Sequence, residues 1–178
     1  KTSTTLSRFC EGIYMAEQEE LIPDDVKQTI KETFLEQMKG DVTIEVYTLT
    51  GINDKFNDFA VDLVRSLATL SDKIRASFHT VGDAQSQKRS VTRSPSVLIA
   101  PDKYRMRYTG APMGEEGRSL LVAIMMASTG TTILSEPSLK KLAELHEKRD
   151  IQVFISPTCP YCPQQVLAAF ASAIARPE

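Results

Sequence analysis

The 178 residues are 42% apolar and 25% charged with a formal net charge of -2, enough apolar content to build a real core and no electrostatic invitation to nucleic acid or an anionic membrane surface. No apolar run reaches the roughly 18 residues that a membrane-spanning helix needs, and the polar start, Lys1 to Arg8, has no apolar signal core behind it. Together these features predict a cytoplasmic protein of one large or two small domains, with no membrane or nucleic-acid partner. Residues 1–20 show no period and turn acidic at Glu17, Glu19 and Glu20, as a lead-in segment would.

From Pro23 the pattern changes. Val26, Ile30, Phe34 and Met38 recur every four residues between Pro23 and Gly40, which predicts an amphipathic helix. Val42, Ile44 and Val46 then alternate with Thr43, Glu45 and Tyr47, predicting a strand to about Leu49. Gly51-Ile52-Asn53-Asp54 breaks it, and Phe59, Leu63, Leu67 and Leu70, widened by Ala60 and Val64, predict a second helix with Asp54 as its cap. A strand follows at Arg75–Val81. After the polar stretch 82–94, Ser96–Ala100 and Tyr104–Tyr108 form a predicted hairpin turning at Asp102-Lys103. The next helix, Ser119 to Ser128, is apolar nearly all round and is expected to be buried, with Met113, Met125 and Met126 as core filler. Lys103, Arg105 and Arg107 fall on one side of their strand as a solvated face.

After the turn at 128–132 a new helix starts at Ser135-Glu136-Pro137, with a capping serine, a proline in its first turn and Leu139, Leu142, Leu145 and His146 behind. Ile151–Ile155 is the next predicted strand and Pro163 to about Ala175 the closing helix. Val46-Tyr47 and Val153-Phe154 stand 107 positions apart, as do Phe59 and Val166, so helix, strand, turn and helix are repeated. The predicted organisation is a lead-in (1–20), a complete unit (21–130) and the start of a second unit (131–178).

The chemistry concentrates at Cys159-Pro160-Tyr161-Cys162, between the repeated strand and its helix. A thiol just before a helix gains from unpaired backbone N–H groups and the positive dipole end, which favour the thiolate, while a second thiol in the first turn is more shielded. Cys159 is thus the expected nucleophile and Cys162 the resolving thiol, with Pro160 limiting flexibility and Tyr161 placing a hydroxyl nearby. In the first copy Ile52-Asn53-Asp54-Lys55 takes the place of the motif, so that copy has the scaffold without the sulfurs. Two rival uses of the C-x-x-C remain, a zinc half-site and a bridged iron–sulfur cluster. Zinc needs four ligands, and Cys10, His79 and His146 show no paired spacing with the motif, so no metal is expected. Cys10 reads as an incidental thiol, and His79 in a strand and His146 on a helix read as structural.

With its C-P-Y-C, this order resembles tandem thioredoxin-fold proteins, namely the glutaredoxin-like protein disulfide oxidoreductases and the N-terminal domain of the alkyl hydroperoxide reductase flavoprotein subunit. Ser94-Pro95-Ser96-Val97-Leu98-Ile99 resembles their cis-proline turn and following strand, with Pro95 as the cis residue, and Tyr108-Thr109-Gly110-Ala111-Pro112-Met113-Gly114 resembles their entry to the last helix. The flavoprotein domain matches better, because its first unit also lacks the cysteine pair. The resemblance implies an α/β thioredoxin-like fold, one complete unit followed by the first strand and helix of a second. It implies a thiol–disulfide oxidoreductase, with a flavin reductase and a peroxiredoxin or other disulfide protein as partners. No Gly-rich dinucleotide fingerprint occurs, so FAD and NAD(P)H are expected on a linked or partner reductase and no cofactor on this chain. A non-catalytic docking module is the competing class, and enzymatic competence of the chain alone is left open. Val153, Ile155, Val166, Leu167, Phe170 and Ile174 are expected to find cover on the first unit or on a second copy, the latter giving a homodimer through this end, with a mobile segment as the alternative.

Overall fold

The computed structural model describes residues 21–156 and 158–177; the lead-in and Cys10 lie outside them. Helix α1 (Asp24–Gln37) starts behind Pro23 and buries Ile30 and Phe34. Its end is tied to the far end of the first unit, where the Ser128 hydroxyl receives the N–H groups of Lys39 and Gly40 at 3.0 and 3.1 Å. A Cβ on Gly40 would stand 3.2 Å from the Ser128 carbonyl oxygen, which is why this close approach takes glycine.

Strand β1 (Val42–Thr48), helix α2 (Asp54–Thr69) and strand β2 (Ile74–Thr80) form a β-α-β unit with the two strands parallel. After a short helix α3 (Ala84–Lys88), strands β3 (Ser96–Ile99) and β4 (Met106–Thr109) add in antiparallel fashion, giving the order β2-β1-β3-β4. Alternation decides the two faces. Val42, Ile44, Val46, Val97, Ile99, Met106 and Tyr108 face the main core with α1, α2 and helix α4 (Glu115–Thr129). Tyr47 and Leu98 face the other way, where Val91 and Val81 cover them. On that second face Glu45, 4% exposed, is held by Arg89 through Nε at 3.0 Å and Nη2 at 2.8 Å, and accepts from the Tyr47 hydroxyl at 2.5 Å. Burial pushes its carboxyl up, but Arg89, Tyr47 and Gln85 outweigh this and hold it below the usual carboxylate range.

Beyond α4, helix α5 (Glu136–Ala143) starts at Ser135, whose side chain accepts from the Ser138 N–H, and helix α6 (Cys162–Ala175) closes the described chain. Arg176 fastens the two by donating to the carbonyls of Leu142, Ala143 and Leu145 at 3.2–3.3 Å, a basic side chain completing a helix end. Val166, Phe170, Ala171 and Ile174 of α6 enter the same core as the sheet, with Val153, Ile155 and Leu167 half-buried against it. The second segment therefore finds its cover on the first unit. No described helix is long and apolar enough to cross a membrane.

Four expectations are corrected. Residues 151–155 form no strand: the alternation is present, with Val153 and Ile155 turned to the core and Phe154 86% exposed, but no ladder closes. A cavity of about 90 Å³ lined by Ile151, Val153 and Ile155 and by Arg107, Tyr108 and Thr109 lies between this segment and the edge of β4, and a strand without a partner has no backbone reward. Asp54 does not cap α2. Its carboxylate accepts the Gly51 N–H at 2.8 Å, tightening the turn, and Asn53 occupies the cap position in the left-handed region. Lys103, Arg105 and Arg107 are all exposed, and from this face Arg107 also donates to the carbonyls of Ser90 and Arg89, pinning the polar loop. His146 lies beyond the end of α5, not on it. Helix α4 starts four residues earlier than its apolar run, at Glu115.

Candidate functional site

The two repeated turns are built differently. In the first, the Ser94–Pro95 peptide bond is cis, and the residues around it close the turn with hydrogen bonds. The Leu49 N–H donates to the Ser94 hydroxyl at 2.7 Å, which donates to Asn57 Oδ1 at 2.7 Å. Asn57 Nδ2 donates to the Leu49 and Ile52 carbonyls, and Asn53 Nδ2 to the Ser94 carbonyl. Each of these donors has a protein acceptor. Nothing in the turn is nucleophilic, and residues 52–55 hold a polar lock where the second copy holds sulfur.

In the second turn the backbone folds back at Ser156, whose carbonyl accepts the Cys159 N–H at 3.0 Å. Tyr161 stands at the cap position, Cys162 opens α6 and Pro163 follows, where its missing N–H costs no helix bond. Cys159 is partly exposed and Cys162 is buried, both as free thiols. The sulfurs lie within hydrogen-bonding reach of each other. That bond is the main cause that lowers the Cys159 thiol below its ordinary value, aided by the backbone N–H groups of Tyr161 and Cys162. The same bond is the main cause that raises Cys162, because a thiol that donates to a neighbouring sulfur holds its proton more tightly. Tyr161 is 73% exposed and points its ring to solvent beside the pair. Pro160 lies between the cysteines as the sequence requires.

Two buried side chains that the periodicity did not single out act on this pair through their electrostatics. Glu116 is 5% exposed, pushed up chiefly by burial and further by Glu115, and its charge acts on both cysteines. A signal for it exists in the sequence: Glu116, Leu120 and Ile124 are spaced by four, so the carboxyl heads a buried helical stripe. Tyr108, opposite Val97 on β4, is pushed up by burial and by the charges of Glu116 and Cys162. His79 is elsewhere, stacked on Tyr47 with ring centroids 5.1 Å apart. Among the described residues no three His, Cys, Asp or Glu side chains converge as a metal site.

The chain is 26% identical over 155 residues to the F subunit of alkyl hydroperoxide reductase from Staphylococcus aureus, and likewise to that from Staphylococcus epidermidis. The match takes 86% of this chain but only 28% of those relatives' length. In three dimensions it is similar to a protein disulfide oxidoreductase from Aeropyrum pernix, with TM-score 0.75 at 25% identity over 86% of this chain and 68% of that one. It is also similar to the N-terminal domain of the alkyl hydroperoxide reductase AhpF from Enterococcus faecalis, with TM-score 0.74 at 24% identity over 88% and 76%. No family model matches the chain. The fold is thioredoxin-like, and the chain resembles the N-terminal domain of AhpF.

Proposed function

We propose that the chain is a thiol–disulfide electron relay, with Cys159 as nucleophile and Cys162 as resolving thiol. In this reading residues 21–130 form a cysteine-free thioredoxin-like unit and 131–178 belong to a second unit that carries the dithiol. The observation that carries it is the asymmetry of the pair: one partly exposed thiol with a lowered proton affinity at a helix N-terminus, hydrogen-bonded to one buried thiol with a raised one. Similarity to a peroxide reductase component and a disulfide oxidoreductase supports the same chemistry.

In the reduced chain the Cys159 thiolate attacks one sulfur of a substrate disulfide, forming a mixed disulfide and expelling a thiolate. Cys162 then gives up its proton, attacks Cys159 Sγ and expels the second thiolate, so that two electrons leave the chain as the Cys159–Cys162 disulfide forms. Glu116 is the buried carboxyl whose charge reaches both sulfurs, and it takes the Cys162 proton. Pro160 stiffens the link between the two cysteines, and the exposed Tyr161 ring offers an apolar contact to the incoming protein disulfide.

The substrate is a peroxiredoxin or another disulfide protein, and the electron source a flavin reductase. FAD and NAD(P)H belong on that linked or partner reductase, since the residues here do not suit them. The turn from β1 to α2 carries one glycine, and the Asp54 carboxylate already takes the Gly51 N–H that a phosphate would need. The relay is expected to work in the cytoplasm.

The test is a pulse of iodoacetamide on reduced protein from mildly acidic to mildly alkaline pH, with peptide mapping of the products. Cys159 is expected to be modified first and to titrate below the roughly 8.5 of a free cysteine, with Cys162 protected. Equal rates at the two cysteines would overturn the assignment.

A further inference from the structure

Strand β4 is an outer strand of the sheet, with β3 on one side only. The phase of that one ladder is fixed by the Gly110 N–H, which donates to the Pro95 carbonyl at 2.9 Å. Bonded and non-bonded positions alternate along an antiparallel pair. With Pro95 opposite Gly110 as a bonded position, Val97–Tyr108 and Ile99–Met106 are bonded positions too, so the N–H and C=O of Arg107 and Thr109 point away from β3. Among the described residues no other backbone group takes them up.

Outside this edge lies a cleft of about 860 Å³, walled by β4 and the end of α3 on one side and by residues 142–152 and the last turns of α6 on the other. Its charge is one-sided. Seven lining residues are Lys or Arg and two are Asp or Glu, in a chain of net charge -2. The side chains of Lys88, Arg105 and Lys148 have neither hydrogen bond nor ion pair among the described residues, whereas Glu147 is already held by Arg149 at 2.7 Å. Arg107 and Phe170 also line the cavity of about 90 Å³, so the cleft narrows along β4 toward Ile155 and Val166. Val166 stands about one turn beyond Cys162 on α6. Residues 151–155 belong to no ladder, so no sheet is broken in widening this end.

An unpaired strand edge calls for another backbone, and positive walls call for carboxylates. A small anion or a phosphate chain would answer the charge and leave the edge unpaired. We propose that this cleft is the docking groove for an acidic, extended segment of the partner protein, which adds to β4 as a fifth strand with its carboxylates against Lys88, Arg105 and Lys148. Arg107 and Thr109, two residues apart, pair with its backbone, and the narrow end leads the partner's disulfide toward Cys159. That last step rests on the relay proposed above; the docking does not.

The probe is a cysteine-free, fluorescein-labelled peptide of alternating glutamate and valine, about eight residues long as strands go, titrated with the full chain and followed by fluorescence anisotropy. Binding is expected, weakened by added salt and retained in Cys159→Ser. The same peptide N-methylated at alternate residues keeps its charge but cannot pair along one edge, and is expected not to bind. Arg105→Glu combined with Lys148→Glu should weaken the unmethylated peptide about tenfold. Thr109→Pro removes one outward N–H at an edge position that tolerates proline, and should weaken it roughly fivefold. In hydrogen exchange the amides of Arg107 and Thr109 should gain protection when the peptide is bound.

Equal binding of the N-methylated peptide overturns strand addition. Binding that survives the double charge reversal, or a lysine–valine peptide that binds as tightly, overturns the acidic partner. If the amides of Arg107 and Thr109 are already protected in the free chain and no peptide binds, residues 151–155 close on β4 themselves and the inference falls. None of these outcomes touches the dithiol, because the probe contains no sulfur. A chain that binds the peptide while its two cysteines react with iodoacetamide at equal rates keeps the docking groove and defeats the relay.

Discussion

The turn at 49–57 and the turn at 156–162 occupy corresponding places in a repeated pattern, yet one is closed and the other open. In the first, Ser94, Asn57 and Asn53 use the turn's backbone groups for hydrogen bonds, and β1 beneath it is paired on both sides. In the second, the backbone N–H groups of Tyr161 and Cys162 are turned on a sulfur, and the segment leading in has no ladder at all. Corresponding places in the repeated pattern thus serve two ends. Where every donor is satisfied the turn is a strut, and where donors face an ionisable atom it is a reactive centre.

The largest expected effect comes from removing one sulfur of the open turn. Cys162→Ser should stop the exchange at its midpoint, so that a mixed disulfide at Cys159 accumulates and persists, seen as a stable mass adduct; an adduct that decays as fast as in the parent would contradict the assigned roles. A change in the closed half should act on stability instead. Arg89→Met leaves Glu45 buried without a countercharge, bonded only by Tyr47 and Gln85, a loss of about 3 kcal/mol by denaturant unfolding at neutral pH, with no change in the reactivity of Cys159.

The sign of the pH dependence follows from the same pair. Because Arg89 holds the folded-state Glu45 below its unfolded value, the pair's contribution is full above an unfolded carboxylate pKa of roughly 4.3 and is lost as pH falls through the folded value. The cost of Arg89→Met should accordingly shrink as the medium becomes acid and Glu45 can protonate. Smaller is Phe170→Ala, which empties the contact of α6 with the core. It should cost about 3 kcal/mol and loosen the open turn, measured as faster amide exchange over 162–175 with the closed turn unaffected.

Much of this is legible from side-chain period. The alternation at 42–48 and the four-residue spacing in α1 and α2 record which face is buried, and burial is what the sheet and helices obey. The C-x-x-C is legible because its chemistry depends on spacing at a helix start. Residues 151–155 show what period leaves out: Val153 and Ile155 alternate with Phe154 as a strand would, but a strand is made by its neighbour, and a one-dimensional pattern does not say whether a neighbour is there. Helix α3 is five residues long, too short for a period to register. Arg107 is exposed, as its charge suggests, but charge does not say that the guanidinium reaches back to the carbonyls of a loop. Glu116 is legible as a position on a stripe but not as a partner of Cys162, since that proximity arises from α6 packing on α4.

The central claim is that Cys159 and Cys162 form one reversible two-electron centre. It is tested most directly by equilibrating the protein with graded ratios of reduced to oxidised dithiothreitol or glutathione, trapping free thiols and weighing the products. The expected result is a single reversible transition between two free thiols and one internal Cys159–Cys162 disulfide, abolished in Cys159→Ser and in Cys162→Ser. A pair that stays reduced at every ratio, or that forms only disulfides between chains, would contradict it.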